Sequence, residues 1–133
     1  MIYVLDASVA VAAVRRSEPG HLASRARLRR LLQGDDEIVV PVLFDVEVTS
    51  ALVRAGVAPD DVATYLATDL AARAVVTLGP RAAKAIIDVV ARTRLRAADA
   101  TYVWTASKRG IPLVTLDDEI GRKAHGWCRV EAP

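Results

Sequence analysis

The chain has 133 residues, 53% of them hydrophobic and 26% charged, and its 18 basic and 16 acidic side chains leave a net charge of +2. This length predicts a single domain over residues 1–133, and the composition excludes an intrinsically disordered chain. No apolar run approaches the roughly 20 residues that a transmembrane helix needs, and no signal peptide is visible, so we expect a cytoplasmic protein without membrane contact. The single cysteine, Cys128, excludes an intrachain disulfide and a thiolate metal cluster.

Strands and helices are predicted to alternate along the chain. Apolar runs bounded by turn residues predict strands at Ile2–Leu5, Ile38–Val40, Val75–Thr77, Ile111–Leu116 and, at an edge, Cys128–Val130. Apolar periodicity and capping residues predict helices at Ala7–Val14, His21–Gln33, Val42–Ala55, Pro59 to about Arg73, Pro80 to about Arg94, Ala97–Arg109 and Asp117–Ala124. Such alternation indicates an α/β fold with a parallel sheet that helices cover on both faces.

Two aspartates directly follow predicted strands. Asp6 comes after the first strand, and Asp117 comes after the strand that ends at Leu116. Ligands of open α/β sheets bind just outside the carboxyl ends of the strands, so both positions favour a functional site. Either residue could instead only cap the helix that follows, and the neighbouring Asp118 is the alternative to Asp117.

Two further acids lie on apolar faces of predicted helices. Glu47 comes three residues after Phe44, and Asp99 leads a face that continues with Tyr102 and Ala106. An acid on a core-facing stripe is costly unless something compensates it. For Asp99 the alternative is a favourable charge in the first turn of its helix.

These four acids, if gathered at one sheet edge, would repel one another. Two unit charges about 5 Å apart cost about 3 kcal/mol at an effective dielectric constant near 20. A divalent cation removes that cost, and oxygen-only ligands select Mg²⁺, with Mn²⁺ as a substitute. Zinc is disfavoured because only His21 and His125 could supply nitrogen, and both are interpreted as surface residues.

In combination, four segments resemble the motifs of PIN-domain ribonucleases, and most closely those of VapC-type toxins from bacterial toxin–antitoxin pairs. The segments are Val4-Leu5-Asp6-Ala7-Ser8-Val9, Val46-Glu47-Val48-Thr49-Ser50-Ala51-Leu52, Ala98-Asp99-Ala100-Thr101-Tyr102 and Leu113-Val114-Thr115-Leu116-Asp117. Each motif alone is weakly specific. All four occur in the family's order on the expected elements, which makes the combined signal strong.

The resemblance implies a three-layer α/β/α sandwich around a parallel sheet of four to five strands. It also implies a magnesium-dependent endoribonuclease that forms a homodimer and is inhibited by a cognate VapB-type antitoxin, which lays a peptide across the active-site groove. Carried over by motif, the catalytic acids are Asp6, Glu47, Asp99 and Asp117. Of these, Asp6, Asp99 and Asp117 would hold the metal, Glu47 would act on the attacking water, and Ser8 and Thr115 would be supporting hydroxyls.

Fifteen of the 18 basic residues are arginine, whose planar guanidinium suits phosphate groups. An RNA substrate needs basic residues around an acidic centre. Arg15 and Arg16, after the first helix, and Arg94 and Arg96, before Asp99, are the candidates. An ordinary solvated surface is the equally weighted alternative.

Two other functions are considered. A phosphotransfer domain, either a receiver or a haloacid-dehalogenase-type phosphatase, also places aspartates at strand ends. The phosphatase needs a second aspartate two residues after the first, where this chain has Ser8, and the receiver needs an acid pair and a late lysine that are missing. The other alternative is a non-catalytic binding module with a vestigial metal site.

Overall fold

The computed structural model describes all 133 residues, which form five strands and seven helices. The strands are β1 (Ile2–Leu5), β2 (Glu37–Pro41), β3 (Ala74–Val76), β4 (Leu113–Val114) and β5 (Val130–Glu131). The helices are α1 (Ala7–Val14), α2 (His21–Leu32), α3 (Leu43–Arg54), α4 (Pro59–Thr68), α5 (Pro80–Thr93), α6 (Ala97–Arg109) and α7 (Asp118–Lys123). None of the helices has the length and apolar composition needed to cross a bilayer.

All five strands are parallel and lie in the order β3-β2-β1-β4-β5. The central strand β1 pairs with β2 and β4, so that Val4 lies opposite both Val39 and Leu113. The chain builds the sheet outward in one direction through β2 and β3, and in the other direction through β4 and β5. The order therefore reverses between β1 and β4, and such a switch point is where α/β folds bind ligands.

Helices pack in two groups, α1 to α4 against one another and α5 against α6. One cluster of 27 buried residues fills the interior, and its largest side chains include Tyr3, Phe44, Leu52 and Tyr102. Residues from all three central strands are wholly buried, as expected for a sheet covered on both faces. The predicted three-layer α/β/α sandwich with a parallel sheet is confirmed.

Several predicted element boundaries are wrong. The fourth helix ends at Thr68 rather than near Arg73, because the Arg73 guanidinium turns back and donates hydrogen bonds to the carbonyls of Leu66 and Leu70, at 2.6 and 2.7 Å. Pro41 ends β2 instead of opening α3.

The last two strands also differ from the prediction. β4 has only two residues, because Pro112 has no N–H to donate and the Leu116 amide donates to the Ser8 hydroxyl instead of to a strand. The edge strand β5 is Val130–Glu131 rather than Cys128–Val130, since it pairs in register with Leu113 and Val114.

Candidate active site

An open cleft of about 620 Å³ lies at the carboxyl edge of the sheet, beyond the ends of β1 and β4. All four predicted acids line it, although they come from four separate elements of the chain. We call it the four-acid cleft, after Asp6, Glu47, Asp99 and Asp117.

Asp6 is the most deeply placed of the four acids, with only 6% of its surface exposed. The hydroxyls of Ser8 and Thr115 donate to the same carboxylate oxygen, Oδ2, at 2.5 and 2.6 Å. Burial raises the pKa of Asp6, and the two hydroxyls act against this rise. Because both hydroxyls bind Oδ2, the other oxygen makes no side-chain hydrogen bond and remains able to bind a cation.

The same two hydroxyls connect the two loops that form the cleft. Ser8 Oγ accepts a hydrogen bond from the Leu116 amide at 3.2 Å, and Thr115 Oγ1 accepts one from the Asp117 amide at 3.0 Å. Each hydroxyl therefore donates to Asp6 and accepts from the loop that carries Asp117. Together they fix the spacing between the two strand-end aspartates.

Asp117 is both a helix cap and a residue of the cleft. Its Oδ1 accepts hydrogen bonds from the amides of Glu119 and Ile120, at 2.7 and 3.4 Å, which caps α7. Its Oδ2 makes no hydrogen bond, so capping does not use up the carboxylate. Asp118 is exposed and does not line the cleft, so the structure brings Asp117 rather than Asp118 to Asp6.

Asp99 lies in the first turn of α6, and its side chain is 18% exposed. Burial raises the pKa of Asp99 to about 6, the negative charges of Asp6 and Asp117 add to the rise, and Arg96 opposes it. A cation bound beside Asp99 would offset both the cost of burying its charge and the repulsion from Asp6 and Asp117.

Glu47 extends from α3 and is half-buried. The Tyr102 hydroxyl donates to its Oε1 at 2.7 Å. Burial raises the pKa of Glu47, and the charges of Asp6 and Asp99 raise it further. Each of the four acids is thus close enough to at least one other for their charges to interact.

The donor set of the four-acid cleft fits a hard divalent cation. All the candidate ligands are carboxylate oxygens, and the mutual repulsion described above is relieved when a cation binds. No three acidic, histidine or cysteine side chains stand close enough to hold one ion directly. Mg²⁺ commonly binds through one or two carboxylates and keeps several water ligands, so the open cleft agrees better with Mg²⁺ than with a fully protein-coordinated ion.

Of the four arginines predicted to contact RNA, two lie at or beside the cleft and two lie away from it. Arg15 lines the cleft and forms an ion pair with Glu18, and the Arg96 Nε lies 3.9 Å from Asp99 Oδ2 with its side chain 82% exposed. Arg16 and Arg94 are exposed and do not line the cleft.

The interpretation of both histidines as surface residues is wrong for one of them. His125 is exposed, but His21 is half-buried, with its Nδ1 2.7 Å from the Ala12 carbonyl oxygen, because it opens α2 directly against α1. Neither histidine lines the cleft.

Sequence reasoning missed two residues that act on the cleft. In the sequence Tyr102 stands on an apolar face and in the motif that contains Asp99, with no role of its own indicated, and Glu18, which lines the cleft, carries no functional signal. A signal for Tyr102 existed, since a buried tyrosine hydroxyl usually finds a hydrogen-bond partner. Nothing local could have identified that partner, which is 55 residues away.

Comparison with known proteins agrees with this fold. A family model described as the PIN domain matches residues 3–126. No curated protein matches the sequence.

Solved structures resemble the chain over nearly its whole length. VapC20 of Mycobacterium tuberculosis, described as a sarcin–ricin loop cleaving toxin, has a TM-score of 0.76 and 17% identity, and the match covers 98% of this chain and 99% of that one. VapBC2 of Rickettsia felis, solved with a DNA fragment from its promoter, has a TM-score of 0.74 and 15% identity over 100% and 99% of the two chains. PAE2754 of Pyrobaculum aerophilum has a TM-score of 0.73 and 22% identity over 98% and 83%. At these identities the likeness shows a shared fold.

Proposed function

This chain belongs to the PIN domain family, and from that premise we propose that it is a magnesium-dependent endoribonuclease, the VapC-type toxin of a bacterial toxin–antitoxin pair. The observation that carries the proposal is the four-acid cleft, in which Asp6, Glu47, Asp99 and Asp117 line one opening at the switch point of the sheet. The similarity in fold to VapC20, described as a sarcin–ricin loop cleaving toxin, supports the same conclusion.

In the proposed mechanism Asp6, Asp99 and Asp117 would together hold a Mg²⁺ ion, partly through its water ligands because no three of the acids lie close enough to bind one ion directly, and Mn²⁺ could substitute. When bound, such an ion activates water for attack and neutralises charge on the phosphodiester. Glu47 orients the attacking water or takes its proton, since its raised pKa brings it closer to the operating pH than that of an ordinary glutamate. The phosphatase alternative is disfavoured because position 8 is Ser8, whose hydroxyl is bound to Asp6 and does not supply a second carboxylate.

The proposed function is tested with a matched pair of variants, Asp117→Asn and Asp118→Asn, on a panel of structured RNAs. We expect the wild type to cut in Mg²⁺ and not in chelator. Asp117→Asn should lower the rate by at least about 100-fold, because a metal ligand is lost, while Asp118→Asn should stay within about two-fold. Loss of cleavage in Asp118→Asn but not in Asp117→Asn, or cleavage that survives chelator, would contradict the proposal.

Arg15 and Arg96 are proposed to contact the RNA backbone, since Arg15 lines the four-acid cleft and Arg96 lies beside Asp99. Arg15→Ala should raise KM for RNA by about 10-fold with little change in kcat, because a phosphate contact of this kind stabilises substrate and transition state alike. Arg94→Ala is the control, because Arg94 is exposed outside the cleft, and its KM should stay within about two-fold. Steady-state kinetics at two salt concentrations measure the effect, and equal KM values for the two variants would remove Arg15 from the site.

Three further parts of the proposal concern partners and location. A VapB-type antitoxin is proposed to cover the cleft, and single-stranded RNA loops are the proposed target because their backbone is accessible. A homodimer is proposed because Val42, at the N-cap of α3, and Val46 and Val53, within α3, are exposed, and such apolar faces commonly pack against a partner. The proposed site of action is the cytoplasm.

A further inference from the structure

A tyrosine buried behind the four-acid cleft contacts one of its acids. Tyr102 lies in the middle of α6, and its side chain is wholly buried. Its hydroxyl donates a 2.7 Å hydrogen bond to Oε1 of Glu47, which comes from α3. The contact therefore joins the helix that carries Asp99 to the helix that carries Glu47.

A buried tyrosine hydroxyl needs a partner, but the partner need not be a functional carboxylate. The half-buried Tyr65 shows the ordinary solution in this same chain, because its hydroxyl donates to the backbone carbonyl of Ala10 at 2.9 Å. The hydroxyl of Tyr102 instead binds a carboxylate that lines the cleft.

The hydrogen bond from Tyr102 restricts the conformations of the Glu47 side chain. A glutamate side chain has three rotatable bonds, and a hydrogen bond to one carboxylate oxygen removes much of that freedom. Oε1 is bound by the buried phenol, while Oε2 makes no hydrogen bond and remains available to the cleft.

We propose that Tyr102 is a positioning residue that holds the Glu47 carboxylate so that its free oxygen faces the four-acid cleft. The inference rests on the proposed function for its kinetic consequence, because Glu47 acts there on the attacking water. Misplacing such a group by about 1 Å can slow a reaction by about 100-fold.

Tyr102→Phe removes the hydroxyl and keeps the ring that fills the core. We expect kcat for RNA cleavage in Mg²⁺ to fall by about 10- to 100-fold with KM within about two-fold, because Glu47 acts mainly on the transition state. Tyr65→Phe is the matched control, since it also loses one hydrogen bond from a tyrosine hydroxyl, and its kcat should stay within about two-fold. Equal kcat values for wild type and Tyr102→Phe would overturn the proposal.

A second background separates positioning from general damage. In Glu47→Ala, where the phenol has nothing to hold, adding Tyr102→Phe should change kcat by less than about two-fold. In metal-free protein the melting temperature should fall by about 4 °C for Tyr102→Phe alone, and should not fall when Glu47→Ala is already present.

The outcomes distinguish this inference from the proposed function. If the wild type cuts RNA and the losses from Tyr102→Phe are the same with and without Glu47, the hydroxyl does not act through Glu47 and the inference fails alone. If the wild type cuts no RNA in Mg²⁺, the proposed function fails, and the melting comparison still decides whether Tyr102 holds Glu47. Equal melting losses in the two backgrounds would overturn that contact.

Discussion

Replacing Asp99 by asparagine is expected to abolish cleavage and, at the same time, to stabilise the metal-free protein. The rate should fall by about 1,000-fold, because asparagine cannot neutralise a bound cation. The free energy of unfolding should rise by about 1–2 kcal/mol at pH 7, because the ionised Asp99 is held in the folded protein against burial and the charges of Asp6 and Asp117.

The pKa of Asp99 determines how the stability of the metal-free protein changes with pH. The pKa of Asp99 is about 6 in the folded protein and near its ordinary value of 3.8 when unfolded. Between these values the folded state binds more protons than the unfolded state, so the metal-free wild type becomes more stable as pH falls from about 7 toward 4. Asp99→Asn lacks this gain, and its stability advantage should shrink over the same range.

Denaturant unfolding in chelator at pH 5 and pH 7.5 measures both effects, and the RNA panel measures the rate. Asp88→Asn is the control, because Asp88 is exposed on α5 and pairs only with Arg92. Asp88→Asn should leave the cleavage rate unchanged. It should change the free energy of unfolding by no more than about 0.5 kcal/mol. An Asp99→Asn protein that unfolds more easily than the wild type would show that the charge is not destabilising there.

The largest expected loss of stability comes from Asp36→Asn, at about 2 kcal/mol, because Asp36 is buried while its partner Arg30 is half-exposed. The Asp36 side chain has no exposed surface, and Arg30 donates to its two oxygens at 3.0 Å each. The Tyr3 hydroxyl stands 3.5 Å from Oδ2. Hydrogen bonds from Arg30 lower the pKa of Asp36, so the charged form is favoured. An asparagine keeps one acceptor oxygen, but it loses the negative charge and places an NH2 group against one of the donors that the carboxylate now accepts from.

Because the folded pKa of Asp36 is depressed, the stability it contributes is present above its ordinary pKa and is lost as pH falls through the lower folded value. Wild type and Asp36→Asn should therefore converge in stability below about pH 4. Asp35→Asn is the control, since Asp35 is exposed next to it. Asp36 precedes β2 and lies at the amino edge of the sheet, away from the cleft. At temperatures well below its melting temperature, Asp36→Asn should therefore cleave RNA at the wild-type rate. A loss under about 1 kcal/mol would refute this account.

Much of the site could be predicted because its signals are local. Asp6 and Asp117 each follow a short apolar run, and parallel strands bring their carboxyl ends to one edge. Glu47 and Asp99 are placed by helical spacing alone. Periods of two residues for strands and 3.6 residues for helices are visible in a single sequence. Together with the positions of the strand ends, they predict the fold class, the element order and the four acids.

The rest depends on contacts that no local pattern encodes. The sequence did not predict that Tyr102 would hold Glu47, or that the Arg73 guanidinium would end α4. Proximity along the chain was misleading for Arg94, which is close to Asp99 in sequence but takes a left-handed conformation, with φ of 58°, at the end of α5 and lies outside the cleft. Side-chain direction at helix ends is set by tertiary structure.

The place of β1 at the centre of the sheet also has a consequence during synthesis. The hydroxyl of Thr115 reaches Asp6 across 109 positions of the chain, and Asp117 follows two residues later. A nascent chain that ends within α6 already carries three of the four acids but lacks β4, the Thr115 hydroxyl and the fourth carboxylate. The four-acid cleft therefore cannot assemble on a growing chain until residues 113–117 have been made and placed beside β1.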